Sequence, residues 1–215
     1  MKDYTWNTFP TLGYLQCKFT DEELLPLTTE IEKIKNNFSE HKKINNVLAG
    51  NIRKEYELED CHLYLEELLL PLVNSYDQHF NYTNTTNIAD GVCSIVLHHA
   101  WVNFQQKGEF NPTHNHGGFL SFVIWTKIPY LMEQEYIASP GINSNAPRPG
   151  SFDFVYSDCI GGLNTHTIDV DKTMENTMLL FPSKLLHHVY PFFTTDEYRI
   201  SVSGNFKFKS DFIWR

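Results

Sequence analysis

Two patterns of apolar residues divide the chain near residue 90. Before that point, apolar residues recur every three or four positions, the spacing that places them on one face of a helix. After it, short segments rich in Val, Ile, Phe, Tyr and Trp are separated by Pro, Gly and Asn, which is typical of strands joined by turns. We therefore predict a helical part over 1–90 and a β-rich part over 91–215.

The helical part contains two candidate helices. Thr20 and Glu23 form a capping box, which satisfies two backbone N–H groups where a helix begins. A second run extends from about residue 60 to residue 80, with a bend expected at Pro71 because proline removes a helical hydrogen bond. The predicted core-facing residues are Leu24, Leu27, Ile31, Ile34 and Phe38 in the first helix, and Leu65, Leu68, Leu72, Tyr76 and Phe80 in the second.

The β-rich part predicts a series of short strands. They are placed at 92–105, 119–127, 151–157, 177–182, 186–191 and 197–209. Many short strands over this length favour a double-stranded β-helix, or jelly roll, formed by two sheets. We expect one compact, mainly β (α+β) domain over 1–215, with the helices packed outside the jelly roll. Residues 129–171 are rich in Pro, Gly and Asn and are expected to form an inserted loop region, the natural place for a lid or a specificity loop.

Charge and composition narrow the classes of partner. The formal net charge of -9 argues against nucleic acid, whose phosphates are bound by clustered Lys and Arg. No apolar run is long enough to cross a membrane or to form a signal peptide. The cysteines are widely spaced, which indicates free thiols in a reducing compartment rather than a disulfide framework. We therefore expect a soluble, cytoplasmic protein. The four cysteines are Cys17, Cys61, Cys93 and Cys159.

Three histidines are candidate metal ligands. His114 and His116 stand one residue apart in "NPTHNHGGFLSFVIW", so in an extended segment both imidazoles point to the same side of the chain. The third imidazole has two candidates, His187 and His188 in "FPSKLLHHVYP". Neighbouring residues of a strand point to opposite faces, so only one of these two can join the pair.

An arginine and a serine near the end of the chain suggest which metal chemistry is present. Three neutral imidazoles leave coordination positions open, as in catalytic sites, and they suit iron, zinc or copper. Arg199 and Ser201 are two residues apart, hence on one face of a strand, and a guanidinium beside a hydroxyl can hold a carboxylate. This pair favours an iron site with an anionic co-substrate.

Three segments resemble the 2-oxoglutarate- and Fe(II)-dependent oxygenases, most closely a branch of bacterial and phage members with a prolyl-hydroxylase-like layout. They are "WVNFQQKGEFNPTHNHGGFLSFVIW", "LLFPSKLLHHVYPF" and "RISVSGNF". The superfamily has a proximal His-x-Asp or His-x-Glu, a distal His, and an Arg-x-Ser that binds 2-oxoglutarate. The resemblance therefore implies that His114, His116 and His187 bind the metal, and that Arg199 and Ser201 bind the far carboxylate of 2-oxoglutarate.

The chain departs from the superfamily pattern at His116, where a carboxylate is usual. A neutral imidazole leaves the full dipositive charge on Fe(II), which favours binding of a dianionic co-substrate. A substitute carboxylate would have to come from elsewhere, and Glu109 and Asp153 are candidates by sequence position. Further residues close to the motifs are candidates for the pocket wall, namely Trp101, Asn103, Asn111 and Trp125.

The resemblance implies a dioxygenase that uses Fe(II), 2-oxoglutarate and O2. It would convert 2-oxoglutarate to succinate while hydroxylating a peptide or a small molecule. Two alternatives are a three-histidine metal enzyme without 2-oxoglutarate, such as a cupin-type dioxygenase or a zinc hydrolase, and a non-enzymatic jelly-roll binding module. Binding of 2-oxoglutarate through Arg199 tests the first alternative, and metal uptake tests the second.

Overall fold

Two antiparallel sheets form the β part of the protein. The computed structural model describes Thr5, residues 11–86 and residues 94–209. The strands in these ranges are β1 (Leu15–Lys18), β2 (Glu55–Glu57), β3 (Ile95–Gln105), β4 (Asn111–His114), β5 (Leu120–Lys127), β6 (Phe152–Ser157), β7 (Leu163–Ile168), β8 (Thr177–Pro182), β9 (Leu186–Val189) and β10 (Arg199–Phe208). The larger sheet has the order β1-β8-β5-β10-β3-β2, and the smaller sheet has the order β4-β9-β6-β7. The predicted jelly-roll class of fold is confirmed.

Strand β5 shows why the larger sheet is buried on both faces. Val123 and Trp125 pack with Phe152 of β6, so these side chains fill the space between the two sheets. Alternate residues, such as Ile124, instead belong to the core formed with the helices. A strand covered on both sides is apolar throughout rather than alternating, as "FLSFVIW" is.

Three of the helices pack on the outer face of the larger sheet, namely α1 (Asp21–Asn36), α2 (His62–Phe80) and α3 (Tyr82–Thr86). A fourth helix, α4 (Met132–Ala138), follows β5. The predicted capping box of Thr20 and Glu23 is present at the start of α1. No helix in the described ranges combines the length and the apolar character needed to cross a bilayer.

Helix α2 differs from its prediction in the residues that it buries. It continues through Pro71 as one helix, and its fully buried residues are Leu65, Leu69, Val73 and Tyr76. The predicted Leu68, Leu72 and Phe80 are only partly buried at the edge of the same face. The fully buried residues are spaced by four, four and three positions, which keeps them on one face of a helix with 3.6 residues per turn.

The sequence prediction found six strands within a few residues of their ends but missed β1, β2, β4 and β7. Strand β2 is very short, and β4 contains a proline, so neither has a run of β-forming residues. The expected loop region 129–171 contains α4, β6 and β7, and β6 pairs with β9 in the smaller sheet. Much of this region is therefore part of the jelly roll itself.

A buried carboxylate joins the two long helices. Glu30 of α1 is 5% exposed and accepts hydrogen bonds from the backbone N–H groups of Glu59, Asp60 and Cys61, at 2.8, 3.0 and 2.8 Å. These residues lead into α2, whose own N-cap, Cys61, makes no side-chain capping bond. Glu30 thus holds the backbone that leads into α2, including the N-cap amide of Cys61, from a different helix.

Replacing Glu30 with Ala should destabilise the fold by about 2–4 kcal/mol, because three backbone N–H groups lose their acceptor in a buried position. The measurement is the urea midpoint of unfolding. Glu32→Ala, on the exposed side of the same helix in a pair with Lys35, is the matched control and should change stability by less than about 0.5 kcal/mol. Equal midpoints for the two variants would contradict this role of Glu30.

Candidate active site

The three predicted histidines lie together at one end of the smaller sheet. His114 of β4 is the direct register partner of His187 of β9, and their ring centroids are 4.2 Å apart. His116 follows the end of β4, where its backbone N–H donates to Ser183 O at 2.8 Å. One nitrogen of each ring lies within 4.8 Å of the others. The sequence pair and the distant third residue thus form one cluster.

Backbone carbonyls orient two of the imidazoles. Nδ1 of His114 lies 2.7 Å from Pro112 O, and Nδ1 of His187 lies 2.9 Å from Leu185 O. A carbonyl oxygen can only accept, so each Nδ1 carries the hydrogen and each Nε2 keeps a free lone pair. This is the tautomer that a metal-binding histidine requires.

The cluster has the charge and spacing that a divalent metal needs. Burial lowers the pKa of His116 to about 4 and that of His187 to about 3, so both rings are neutral near pH 7. Nε2 of His116 and Nε2 of His187 are 3.1 Å apart. Two nitrogens at right angles around a metal, each about 2.1 Å from it, would be about 3 Å apart. The residues present therefore fit a metal ion.

The structure also shows which residue of the His187–His188 pair joins the cluster. His187 is 4% exposed and stacks on Phe152, with ring centroids 5.6 Å apart and planes at 16°. His188 points to the opposite face, where it lies across the strand pair from Asp153 and next to the ring of Tyr190. The alternation of side chains along β9 brings His187, and not His188, to His114 and His116.

Neither carboxylate named from the sequence reaches the cluster. Glu109 accepts hydrogen bonds from the backbone N–H groups of Arg53 and Gln106 in a loop. Asp153 lies on the outer face of β6 and pairs with Arg148. Within the described ranges, the group of side chains that could hold a metal ion therefore consists of imidazoles without a carboxylate.

Arg199 is a buried cation at the other end of the same cleft. It is 1% exposed, and no described carboxylate lies within ion-pairing distance of it. All five of its N–H groups donate to neutral oxygens: Gln105 Oε1 (3.1 and 2.7 Å), Tyr130 Oη (2.6 Å), Gly150 O (2.7 Å) and Tyr190 O (2.9 Å). A buried charge without a counter-ion is costly, so the cleft favours an anion beside this guanidinium.

Register places Ser201 on the same face as Arg199. Both residues line the cleft that contains the three histidines. Ser201 accepts a hydrogen bond from Asn103 Nδ2 at 3.3 Å, and its own hydroxyl hydrogen has no acceptor in the described part of the chain. It can therefore donate to a ligand in the cleft.

The walls of the cleft come from both sheets. Trp101, Asn103, Asn111 and Trp125, named from the sequence as wall candidates, all line it. Sequence reasoning missed Gln105, Tyr130 and Glu55. Gln105 faces Arg199 across β3 and β10, and this pairing depends on a strand register that no local motif reveals.

Residues 99–205 match the model of a family described as "Putative 2OG-Fe(II) oxygenase". The chain belongs to the 2OG-Fe(II) oxygenase family. The matched range contains the three histidines together with Arg199 and Ser201. Membership makes the protein an oxidoreductase whose cofactors are Fe(II) and 2-oxoglutarate.

Several solved structures have a fold similar to that of this 2OG-Fe(II) oxygenase. One is a prolyl-4-hydroxylase from Pseudomonas putida, with a TM-score of 0.55 and 15% sequence identity over 93% of this chain and 95% of that chain. A viral collagen prolyl hydroxylase from Paramecium bursaria Chlorella virus-1, in complex with 2-oxoglutarate, gives a TM-score of 0.51. Its sequence is 12% identical over 90% of this chain and 94% of that chain. HygX from Streptomyces hygroscopicus, with nickel, 2-oxoglutarate and hygromycin B bound, gives a TM-score of 0.53. Its sequence is 12% identical over 92% of this chain and 83% of that chain. At these identities the likeness shows the fold. No curated protein sequence matches the chain.

Proposed function

We propose that this oxygenase uses Fe(II), 2-oxoglutarate and O2 to hydroxylate a peptide or small-molecule substrate, with succinate as the second product. The observation that supports it is one cleft with three clustered imidazoles near one end and, at the other, a buried cation that pairs with no carboxylate of the described residues. Bound iron and 2-oxoglutarate supply the oxidising chemistry, in which 2-oxoglutarate is decarboxylated and an oxygen atom is transferred to the substrate.

In this proposal, His114, His116 and His187 are the metal ligands. Pro112 O and Leu185 O hold two of the rings with Nε2 directed to the metal, which reduces the reorganisation needed on binding. Three neutral ligands leave the dipositive charge of the ion uncompensated. An anionic co-substrate is therefore bound more strongly than at a site with a protein carboxylate.

Arg199 and Ser201 are proposed to hold the far carboxylate of 2-oxoglutarate. Because all five Arg199 N–H groups already have acceptors, the carboxylate must replace one or more of the neutral oxygens. The exchange is favourable because the carboxylate brings a negative charge to a buried cation, and the attraction between opposite charges is strong away from water. The side chains of Gln105 and Tyr130 are the partners able to move, whereas Gly150 O and Tyr190 O belong to the backbone.

The apolar walls keep water from the reacting groups. Phe152 and Phe181 lie against His187, and Trp125 closes the sheet side of the cleft. Exclusion of water strengthens the attraction between Arg199 and a carboxylate and protects reactive species from side reactions. These side chains therefore contribute to catalysis by excluding solvent.

The direct test needs no knowledge of the substrate. The purified full chain should convert 2-oxoglutarate to succinate slowly in the absence of substrate, at least about tenfold faster with Fe(II) than without it. Calorimetry with 2-oxoglutarate on the protein loaded with Mn(II), which replaces iron without turnover, provides a second readout. A metal-loaded protein that neither turns over nor binds 2-oxoglutarate would overturn the proposal.

A further inference from the structure

One corner of the cleft is formed by three side chains that the proposed reaction does not use. Glu55 of β2, Asn103 of β3 and Asn111 of β4 all line the cleft. Glu55 and Asn103 are direct register partners, and Asn103 is in turn the partner of Ser201. We call Glu55, Asn103 and Asn111 the acceptor corner.

The acceptor corner has oxygens without donors. Asn103 is 4% exposed, and Asn103 Oδ1 and Asn111 Oδ1 are buried without a hydrogen-bond partner in the described part of the chain. The orientation of the Asn103 amide is set by Ser201 O, which can only accept and lies 3.4 Å from Nδ2. A buried acceptor without a partner costs about 1–3 kcal/mol, so a donor is expected to occupy this position.

Two side-chain oxygens of the acceptor corner lie close to Gly50. A β-carbon on Gly50 would lie 2.5 Å from Asn111 Oδ1 and 2.8 Å from Glu55 Oε1. Both oxygens therefore approach the same point of the backbone, and one small group can contact both. The absence of a side chain at Gly50 leaves room for this approach.

Glu55 gives the corner a carboxylate that has no salt-bridge partner in the described ranges. It is 1% exposed, and its carboxylate accepts one hydrogen bond there, from the neutral Asn45 Nδ2 at 2.8 Å. Burial and the charge of Glu109 raise the pKa of Glu55 to about 7, although the hydrogen bond from Asn45 and the charge of Lys43 act in the opposite direction. A cation bound here would relieve both the desolvation of Glu55 and its repulsion by Glu109.

We infer that the acceptor corner binds a cationic nitrogen, an ammonium or guanidinium group, of the primary substrate. The inference rests on the proposed function, because it assigns the substrate class of the same site. 2-Oxoglutarate has no N–H group and is an anion, so it suits the Arg199 end and not this one. Arg199 and the acceptor corner thus select ligands of opposite charge within one cleft, and a basic substrate is held by its nitrogen while a neighbouring carbon faces the histidines.

Binding of methylguanidinium, with neutral N-methylurea of nearly the same shape as the reference, tests the inference. Both probes are titrated at pH 8 into the isotopically labelled full chain, and the side-chain amide signals of Asn103 and Asn111 are followed by NMR. The wild-type protein should bind methylguanidinium at least about tenfold more tightly than N-methylurea. Glu55→Gln should reduce this preference to about twofold or less.

Glu57→Gln is the matched control. Glu57 lies on the same strand as Glu55, but it does not line the cleft that contains the histidines, and it pairs with Lys42. It should keep the preference for the cation. Equal binding of the two probes, no binding of either, or a preference that survives in Glu55→Gln would overturn the inference. These readouts require neither metal nor turnover, so they are independent of the succinate assay that tests the proposed function.

Discussion

Replacing His187 with Ala should lower the affinity for Fe(II) by at least about 100-fold, and iron-dependent succinate formation should fall by a similar factor. Changes to groups that merely orient a metal ligand already cost about 10–100-fold, and His187 is proposed to be a ligand itself. Metal content after dialysis, together with Fe(II) titration, measures the first effect. The second is measured by the assay without substrate.

His188→Ala is the control for this prediction, because the two residues are adjacent but lie on opposite faces of β9. His188 contacts Tyr190 and Thr113 rather than the cluster. Its replacement should leave metal affinity within about twofold of the wild-type value. Circular dichroism of both metal-free variants checks that they fold. Loss of metal binding in His188→Ala with retention in His187→Ala would reverse the assignment.

Replacing Arg199 with Lys should raise the KM for 2-oxoglutarate by about 10–100-fold, while metal affinity should stay near the wild-type value. A lysine keeps the charge but loses the forked arrangement of donors, and a hydrogen bond to a charged group is worth about 1.5–3 kcal/mol. The lysine variant is preferred to Arg199→Ala, which would leave four buried oxygens without their donor and could unfold the protein.

Ser201→Ala is the companion variant, because it removes one neutral donor without removing the buried charge. It should raise the KM for 2-oxoglutarate by about fivefold, which corresponds to about 1 kcal/mol. The split between KM and kcat is informative, since a role in binding the co-substrate predicts an effect mainly on KM. An unchanged KM in both variants would show that the far carboxylate binds elsewhere.

Most strands of the jelly roll could be predicted because each buried strand has its own local signal. β5 and β8 are runs of apolar, β-forming residues, and they were placed within one residue of their observed ends. β1, β2, β4 and β7 have no such signal, because short or polar strands depend on the neighbours they pair with. Within 129–171 the sequence predicted β6 but missed β7, whose residues are largely polar.

The site shows the same division between local and distant information. The His-x-His and Arg-x-Ser spacings place each pair on one side of an extended strand, whatever the rest of the fold is. The family resemblance added the choice of His187, and the strand geometry agrees with it. By contrast, no spacing in the sequence indicates that Gln105 and Tyr130 hold Arg199, because these contacts join residues 94 and 69 positions apart.

The sequence by itself determined the class of fold through its periodicity. Short spacings singled out His114 with His116 and Arg199 with Ser201 as candidates, and the family resemblance chose His187. Only the tertiary structure decided that no described carboxylate joins the histidines or pairs with Arg199, and that Glu55 shares the cleft with both. The physical reason is that strand register brings distant residues face to face. Burial then determines which of their charges and hydrogen bonds are left for a ligand.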